Sequence, residues 1–347
     1  MFELSIDRIK GGGQSEHDPD QASLTVELKK VIGKSAQVKA DEHERGKVYA
    51  HARQDRKCLP HFEPPFRLLT LCAMILVKSM RGDDGLNSIA TTGRRNQPCS
   101  IELARSAAAR LNIKFVERGD RSIEELALEY GVDEIIIAKK NTLRLLTIDG
   151  RGAVREIFFH PSTAHLRIKA LRAGANDRMI EAMGLTEGMR VLDCTLGLGS
   201  DSIVASYVSR CEVVSIEINP LMAYVIERGL GTFEDDNRHV VEAMRRVRVL
   251  TADHLDILRA EPSKSFDVVY FDPMFRHALE KSSALNVIRE AADHRRLSLE
   301  AIEEAKRVAQ CRVVLKENAR SLEFDRLGFN KFAGGRYSPI KYGVFEL

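Results

Sequence analysis

The stretch Val191-Leu192-Asp193-Cys194-Thr195-Leu196-Gly197-Leu198-Gly199-Ser200-Asp201 constrains this chain more than any other. Two apolar strand formers stop at a carboxylate. A glycine turn follows, and then an apolar helical run, Ser202 to Val208. A strand, a tight glycine loop and a helix N-terminus form a seat for a nucleoside-bearing cofactor. The spacing is G-x-G, and Ser202 stands where the dinucleotide fingerprint has its third glycine, which turns the reading away from a nicotinamide dehydrogenase. A glycine turn between strand and helix with no ligand fits the same residues, so the later strand ends decide between the two.

From Gly188 onward strand and helix patterns alternate. The apolar runs predict strands at 190–193, 212–217, 247–251, 267–271 and 311–315, with a closing pair near 328–333 and 341–346. The helical periods fall at about 201–208, 219–231, 238–245, 253–260, 277–291 and 298–309. Alternating strands and helices, with strands apolar along their whole length, predict an α/β fold: a Rossmann-like, mostly parallel sheet covered on both faces. This domain spans 175–347.

A smaller α/β domain with a linking helix is expected over 86–174. Ile89–Thr92 reads as a strand, 99–111 as a helix and 114–116 as a strand. Ser122 with Glu125 forms a capping box that opens a second helix. Glu134–Ala138, Leu143–Ile148 and Val154–Phe159 complete it, and the linking helix runs over about 162–174. Arg94, Arg95, Arg118, Arg121, Lys139 and Lys140 collect at its loops, as a solvated rim or as phosphate contacts. Residues 1–85 show no sustained period and are expected to be a disordered extension.

Composition narrows the class. Hydrophobic residues make up 44% and charged residues 30% of the 347, the balance of a globular domain in water, and cytoplasmic placement is the expectation. A net charge of +3 is compatible with a nucleic-acid partner but too small to argue for one. The six cysteines have no C-x-x-C spacing, so neither a zinc site nor a disulfide framework is indicated; reduced thiols and no metal are expected. The apolar run Leu68–Val77 is about half the ~20 residues a bilayer crossing needs, so no membrane span is expected.

In a parallel sheet the ligand sits at the C-terminal strand ends. The first predicted strand ends at Asp193 and the glycine loop, and the second at Glu217, where a carboxylate can accept from both ribose hydroxyls. The third ends at Asp253, placed to take an adenine amino group, the fourth at Asp272-Pro273-Met274-Phe275, and the fifth at Lys316. Each acid alone is explained as a helix cap. Acids at four successive strand ends beside a glycine loop describe a nucleoside site. No G-x-x-x-x-G-K-[ST] is present, which disfavours ATP. S-adenosylmethionine (SAM) fits best, its sulfonium and ammonium suiting Asp193 and Asp201.

These residues resemble a family. Residues from about 188 to 347 look like a class I SAM-dependent methyltransferase. More narrowly, Asp193 to Asp201, Asp272-Pro273-Met274-Phe275 and Val313-Val314-Leu315-Lys316 resemble the ribosomal small subunit methyltransferase J family, which methylates the exocyclic N2 of a guanine in 16S rRNA. The resemblance implies a seven-stranded methyltransferase sheet and an RNA partner, 16S rRNA or the small ribosomal subunit. It implies that Ser200, Asp201, Glu217, Ile218, Asp253, His254 and Asp272 line the cofactor site. The 88–170 segment departs from those enzymes.

Asp272-Pro273-Met274-Phe275 is also a variant of the Asp-Pro-Pro-Tyr type motif. A ring-conjugated amine is a poor nucleophile, and acceptors at Asp272 and near Pro273 turn its lone pair toward the methyl group. Phe275 can stack on the base for about 1–3 kcal/mol. Lys316 either contacts a phosphate or closes its strand end. His160, beside Pro161, is a candidate substrate contact or a structural residue. Transfer to another amine, in DNA, protein or a small molecule, and a silent RNA-binding relative are the competing readings.

Overall fold

The computed structural model describes residues 86–94, 97–273, 295–335 and 338–347. The predicted helices at 67–80 and 277–291, the extension 1–85, and Arg95, Met274 and Phe275 lie outside the described residues.

The first sheet is built from β1 (Ser88–Thr92), β2 (Lys114–Phe115), β3 (Glu134–Lys139), β4 (Thr142–Ile148) and β5 (Val154–Phe158), in the order β2-β1-β3-β4-β5. The first three are parallel, and β4 and β5 return antiparallel. Two helices form the crossovers, α1 (Pro98–Leu111) and α2 (Ile123–Tyr130). The Ser122 hydroxyl accepts from the Glu125 amide at 3.0 Å while the Glu125 carboxylate accepts from the Ser122 amide, the reciprocal cap that the sequence predicts. The helices bury their apolar stripes on opposite faces of the sheet.

Two helices lead on, α3 (Ser162–Arg172) and α4 (Arg178–Met183). The second sheet has seven strands: β6 (Val191–Asp193), β7 (Val213–Glu217), β8 (Val247–Thr251), β9 (Phe266–Phe271), β10 (Ala309–Asn318), β11 (Lys331–Ala333) and β12 (Ile340–Glu346). Their order is β11-β12-β10-β9-β6-β7-β8, with β12 antiparallel to both its neighbours and the other described pairings parallel. Its crossover helices are α5 (Ser200–Ser209), α6 (Pro220–Thr232), α7 (Arg238–Arg245), α8 (His254–Ala260) and α9 (Leu299–Val308), with a single turn, α10 (Glu323–Arg326), before β11. The central strands are buried throughout, as strands covered on both faces must be.

Several boundaries differ from expectation. The linking helix stops at Arg172, and β10 runs from Ala309 to Asn318, longer than the 311–315 apolar run, because it pairs with β9 on one side and the whole of β12 on the other. Among the described residues Cys99, Cys194 and Cys311 are free thiols. No helix among the described residues is long and apolar enough to cross a membrane.

The two sheets share one apolar core. Phe159, just past the end of β5, packs on α6, where Gly229 leaves room: a Cβ there would lie 2.3 Å from Phe159 Cβ. Asn219, the N-cap of α6, donates from Nδ2 to Glu134 Oε1 of β3 at 2.9 Å.

Candidate functional site

A cavity of about 310 Å³ opens at the C-terminal ends of β6, β7, β9 and β10. Its floor is the loop after β6. The Leu196 amide donates to Ile216 O at 2.9 Å and the Gly199 amide to Leu196 O at 2.8 Å, which folds the turn tightly over β7. Gly197 and Gly199 have φ of +53° and +76°, the left-handed region that glycine enters at little cost. Ser200 and Asp201 then open α5 onto the cavity wall.

Asp193 does not reach the cavity. Its carboxylate is enclosed behind the loop, where it accepts from the Thr195 amide at 3.0 Å and from the Ser202 hydroxyl, which in turn receives Ser215 Oγ–H at 2.9 Å. Ser202 therefore holds Asp193 from the place where a dinucleotide site carries a glycine. Burial pushes the Asp193 carboxyl up to about 7 against those hydrogen bonds. This corrects the expectation that Asp193 faces a cationic ligand.

Asp201 is on the wall, but it is already matched. Arg167 of α3 donates to Oδ1, while Lys316 Nζ (3.0 Å) and Tyr270 O–H (2.7 Å) reach Oδ2. Burial opposes its ionisation, yet Lys316 and Arg167 outweigh burial and hold the group well below the usual carboxylate range. Arg167 is itself fixed by Asp177, Nε to Oδ2 at 2.7 Å and Nη2 to Oδ1 at 2.9 Å.

Asp272 follows β9. Its amide donates to Thr195 Oγ1 at 2.6 Å, which ties the motif after β9 to the loop after β6. Its Oδ2 accepts from Lys316 Nζ at 2.6 Å. Burial and the charge of Asp201 raise this carboxyl above the ordinary range, and Lys316 opposes them. Lys316 is thus a buried cation between two carboxylates at the cavity wall. Pro273 lines the cavity beside Asp272.

Glu217 closes β7 at 9% exposure and accepts the Asn219 amide at 3.0 Å; Ile218 beside it is exposed. Both line the cavity, as does His254, whose ring meets Phe271 edge-on at 5.8 Å. Asp253 is the N-cap of α8: Oδ1 accepts from the Leu255 amide at 2.8 Å and Oδ2 from Arg295 at 2.7 Å. Ala252, His254 and Arg295 line the cavity around it, while Asp253 itself is spent on these two bonds. His160 lies away from the cavity. Its Nδ1 accepts the Ser162 amide at 3.1 Å and its exposed ring packs on Phe233 at 5.3 Å, at the start of α3.

Sequence reasoning missed Arg167, Thr163, Tyr270 and Thr195. The first two come from the linking helix, outside any strand end. No group of three or more metal-ligating side chains occurs among the described residues.

Residues 124–326 match a family described as "Putative SAM-dependent methyltransferase". The YpiP protein of Bacillus subtilis (strain 168) is 37% identical over 258 residues, 74% of this chain and 98% of that protein. Ribosomal RNA small subunit methyltransferase J of Pseudomonas savastanoi pv. phaseolicola is 36% identical over 137 residues, 39% of this chain; the match spans about half (49%) of that enzyme's length. In its fold the chain is similar to the SAM-dependent methyltransferase NGO1261 of Neisseria gonorrhoeae, with a TM-score of 0.50 and 16% identity over 75% of this chain and 95% of that one.

Proposed function

The chain belongs to the SAM-dependent methyltransferase family, and on that premise we propose that it moves the methyl group to an exocyclic base amine in RNA, with guanine N2 of 16S rRNA as the target. The observation that carries this reading is Asp272, held after β9 by Thr195 and Lys316 at the wall of the cavity.

The residues present fit the cofactor. The Gly197–Gly199 turn brings backbone against the cavity without side chains. Glu217 would accept from the ribose hydroxyls, and Ile218, Ala252 and Phe271 offer apolar surface to an adenine. SAM, when bound, supplies an electrophilic methyl group.

The chain's own residues handle the amine. The Lys316 contact takes Oδ2 of Asp272 and leaves Oδ1 to accept an N–H. An amine so held turns its lone pair away from the carboxylate, and this alignment supplies much of the rate in such transfers. Phe275, by its place after Pro273, would stack on the base. The similarity to the J-family enzymes supports rRNA over other amines, and a ribosomal substrate implies a cytoplasmic enzyme.

Mass mapping of small-subunit rRNA from a deletion strain tests this. One guanine should lose its N2-methyl group. The wild-type gene should restore it, and Asp272→Ala should not, with transfer in vitro reduced by about a hundredfold or more, the scale of losing a group that positions the nucleophile. An unchanged rRNA pattern would sink the RNA reading. Transfer to DNA, protein or a small molecule by the purified enzyme would replace it with the competing one.

A further inference from the structure

The first sheet has a reversal of its own in strand order. Its strand order β2-β1-β3 reverses direction at β1: α1 crosses to one side and α2 to the other. In open α/β sheets of this order ligands bind in the crevice between β1 and β3, outside their C-terminal ends, and Arg94 stands beside it. Arg94 lies just past the end of β1, and Arg118 three residues past the end of β2. The register pairs Ala90 with Phe115, Val116 N donates to Ala90 O at 2.8 Å and Thr91 Oγ1 to Val116 O at 2.7 Å, so the two arginines leave adjacent strands side by side.

Two of the basic residues that the sequence collects at these loops have anionic partners. Arg121 pairs with Glu129 at 2.8 Å and Lys139 with Glu156 at 2.6 Å. Arg118 does not, although it is the most buried of them at 8% exposure. Its Nε donates to Arg121 O at 2.9 Å, and no carboxylate among the described residues lies within ion-pair distance of it or of Arg94. Burial opposes the Arg118 charge, and so does the like charge of Arg94; Glu124, in the first turn of α2, favours that charge from beyond contact. Buried cations are ordinarily paired, because an unpaired one loses its hydration without return. Arg94 and Arg118, carried at the ends of adjacent strands with no acid in contact among the described residues and Glu124 facing both from beyond contact, describe a place for an anion. The guanidinium fork matches phosphate oxygens. Gly93, whose amide donates to Ala138 O at 3.0 Å, brings the end of β3 and the exposed Lys140 to the same edge.

We propose that Arg94 and Arg118 form a phosphate-binding site on the first sheet, separate from the methyltransferase cavity. The phosphate is either a phosphodiester of the RNA substrate, which rests on the proposed function, or a free phosphate, which does not.

The full chain should be titrated with inorganic phosphate by calorimetry and, separately, with a single-stranded RNA oligonucleotide at several salt concentrations. Arg94→Gln and Arg118→Gln are compared with wild type and with Arg105→Gln, an exposed arginine paired with Glu117 that controls for net charge. SAM affinity verifies that each variant is folded. The expected result is phosphate binding by wild type and Arg105→Gln, reduced at least tenfold in the other two. If the source is RNA, each site variant also weakens oligonucleotide binding several-fold and flattens the log–log salt slope by about 0.7, one phosphate contact on a single strand. If only inorganic phosphate responds, the site takes a free phosphate. If neither ligand distinguishes the site variants from Arg105→Gln while SAM still binds, the proposal is overturned. A wild-type protein that binds phosphate but no RNA would reject the RNA substrate and leave this site standing.

Discussion

Lys316 keeps two buried carboxylates, Asp201 and Asp272, from facing each other unpaired. Removing one partner of a buried ionic cluster costs about 3–5 kcal/mol, unless the stranded acid takes up a proton. Asp272 is the acid that will do so, since burial already raises it. The sign follows. Lys316 favours the ionised form, so Lys316→Met raises the Asp272 pKa further. If the ionised carboxylate holds the amine, the acid limb of the kcat profile moves to higher pH by at least about one unit, the effect of an opposite charge in contact. Lys316→Arg should move it less. A pH–rate profile with an unmoved limb would remove Asp272 from the amine site. At this scale the sequence is half legible. Four acids at four strand ends mark out a nucleoside cavity, but not which of them are consumed by the fold: Asp193 goes to Thr195 and Ser202, and Asp253 to its helix cap and Arg295. A carboxylate's partners depend on side chains far away in sequence, such as Arg167 and Tyr270, and no spacing rule reveals them.

At the scale of elements, the glycine loop and α5 show a conformational demand that sequence does announce. Gly199 has φ of +76°, and a Cβ on it would find ordinary contacts, 3.6 Å to Ile226 Cγ2 and to Leu196 Cδ1. Backbone strain, not overlap, therefore decides the outcome of Gly199→Ala. A non-glycine residue in the left-handed region costs about 1–2 kcal/mol. Chemical denaturation should read that loss, and calorimetry should read weaker SAM binding as the loop shifts. Gly231 is the contrast: it lies in α6 with no atom within 4 Å of its ideal Cβ. Gly231→Ala should stabilise by up to about 1 kcal/mol from helix propensity. Equal effects at the two positions would contradict the strain argument. The long elements were legible because burial imposes a period on them. The six residues of α4 and four of α10 are too short for a 3.6-residue period to appear, so they were not.

For the whole molecule, the join between the two sheets converges on α6. This helix carries Asn219 at its start, bonded to Glu134 of β3 and through its amide to Glu217 in the cavity, and it carries Gly229 against Phe159 further along. The sequence predicts both sheets but not this contact, because a glycine chosen for close approach looks like any other glycine in a helix. Two effects compete in Gly229→Ala. Helix propensity favours alanine by about 1 kcal/mol. Against it, the new Cβ would lie 2.3 Å from both Cβ and Cγ of Phe159. That overlap involves the root of the side chain, so a rotamer change cannot relieve it and the backbones must separate. Overpacking of this kind costs about 1–3 kcal/mol, and the expected net is destabilisation. Because α6 also positions the Glu217 loop, SAM affinity should fall with it. Phe159→Ala combined with Gly229→Ala should recover part of the loss, since residues in contact do not act additively. Denaturation midpoints for the two single variants and the double variant measure this coupling. Additive midpoints, or a Gly229→Ala protein more stable than wild type, would show that the sheets meet more loosely than a glycine at this contact requires.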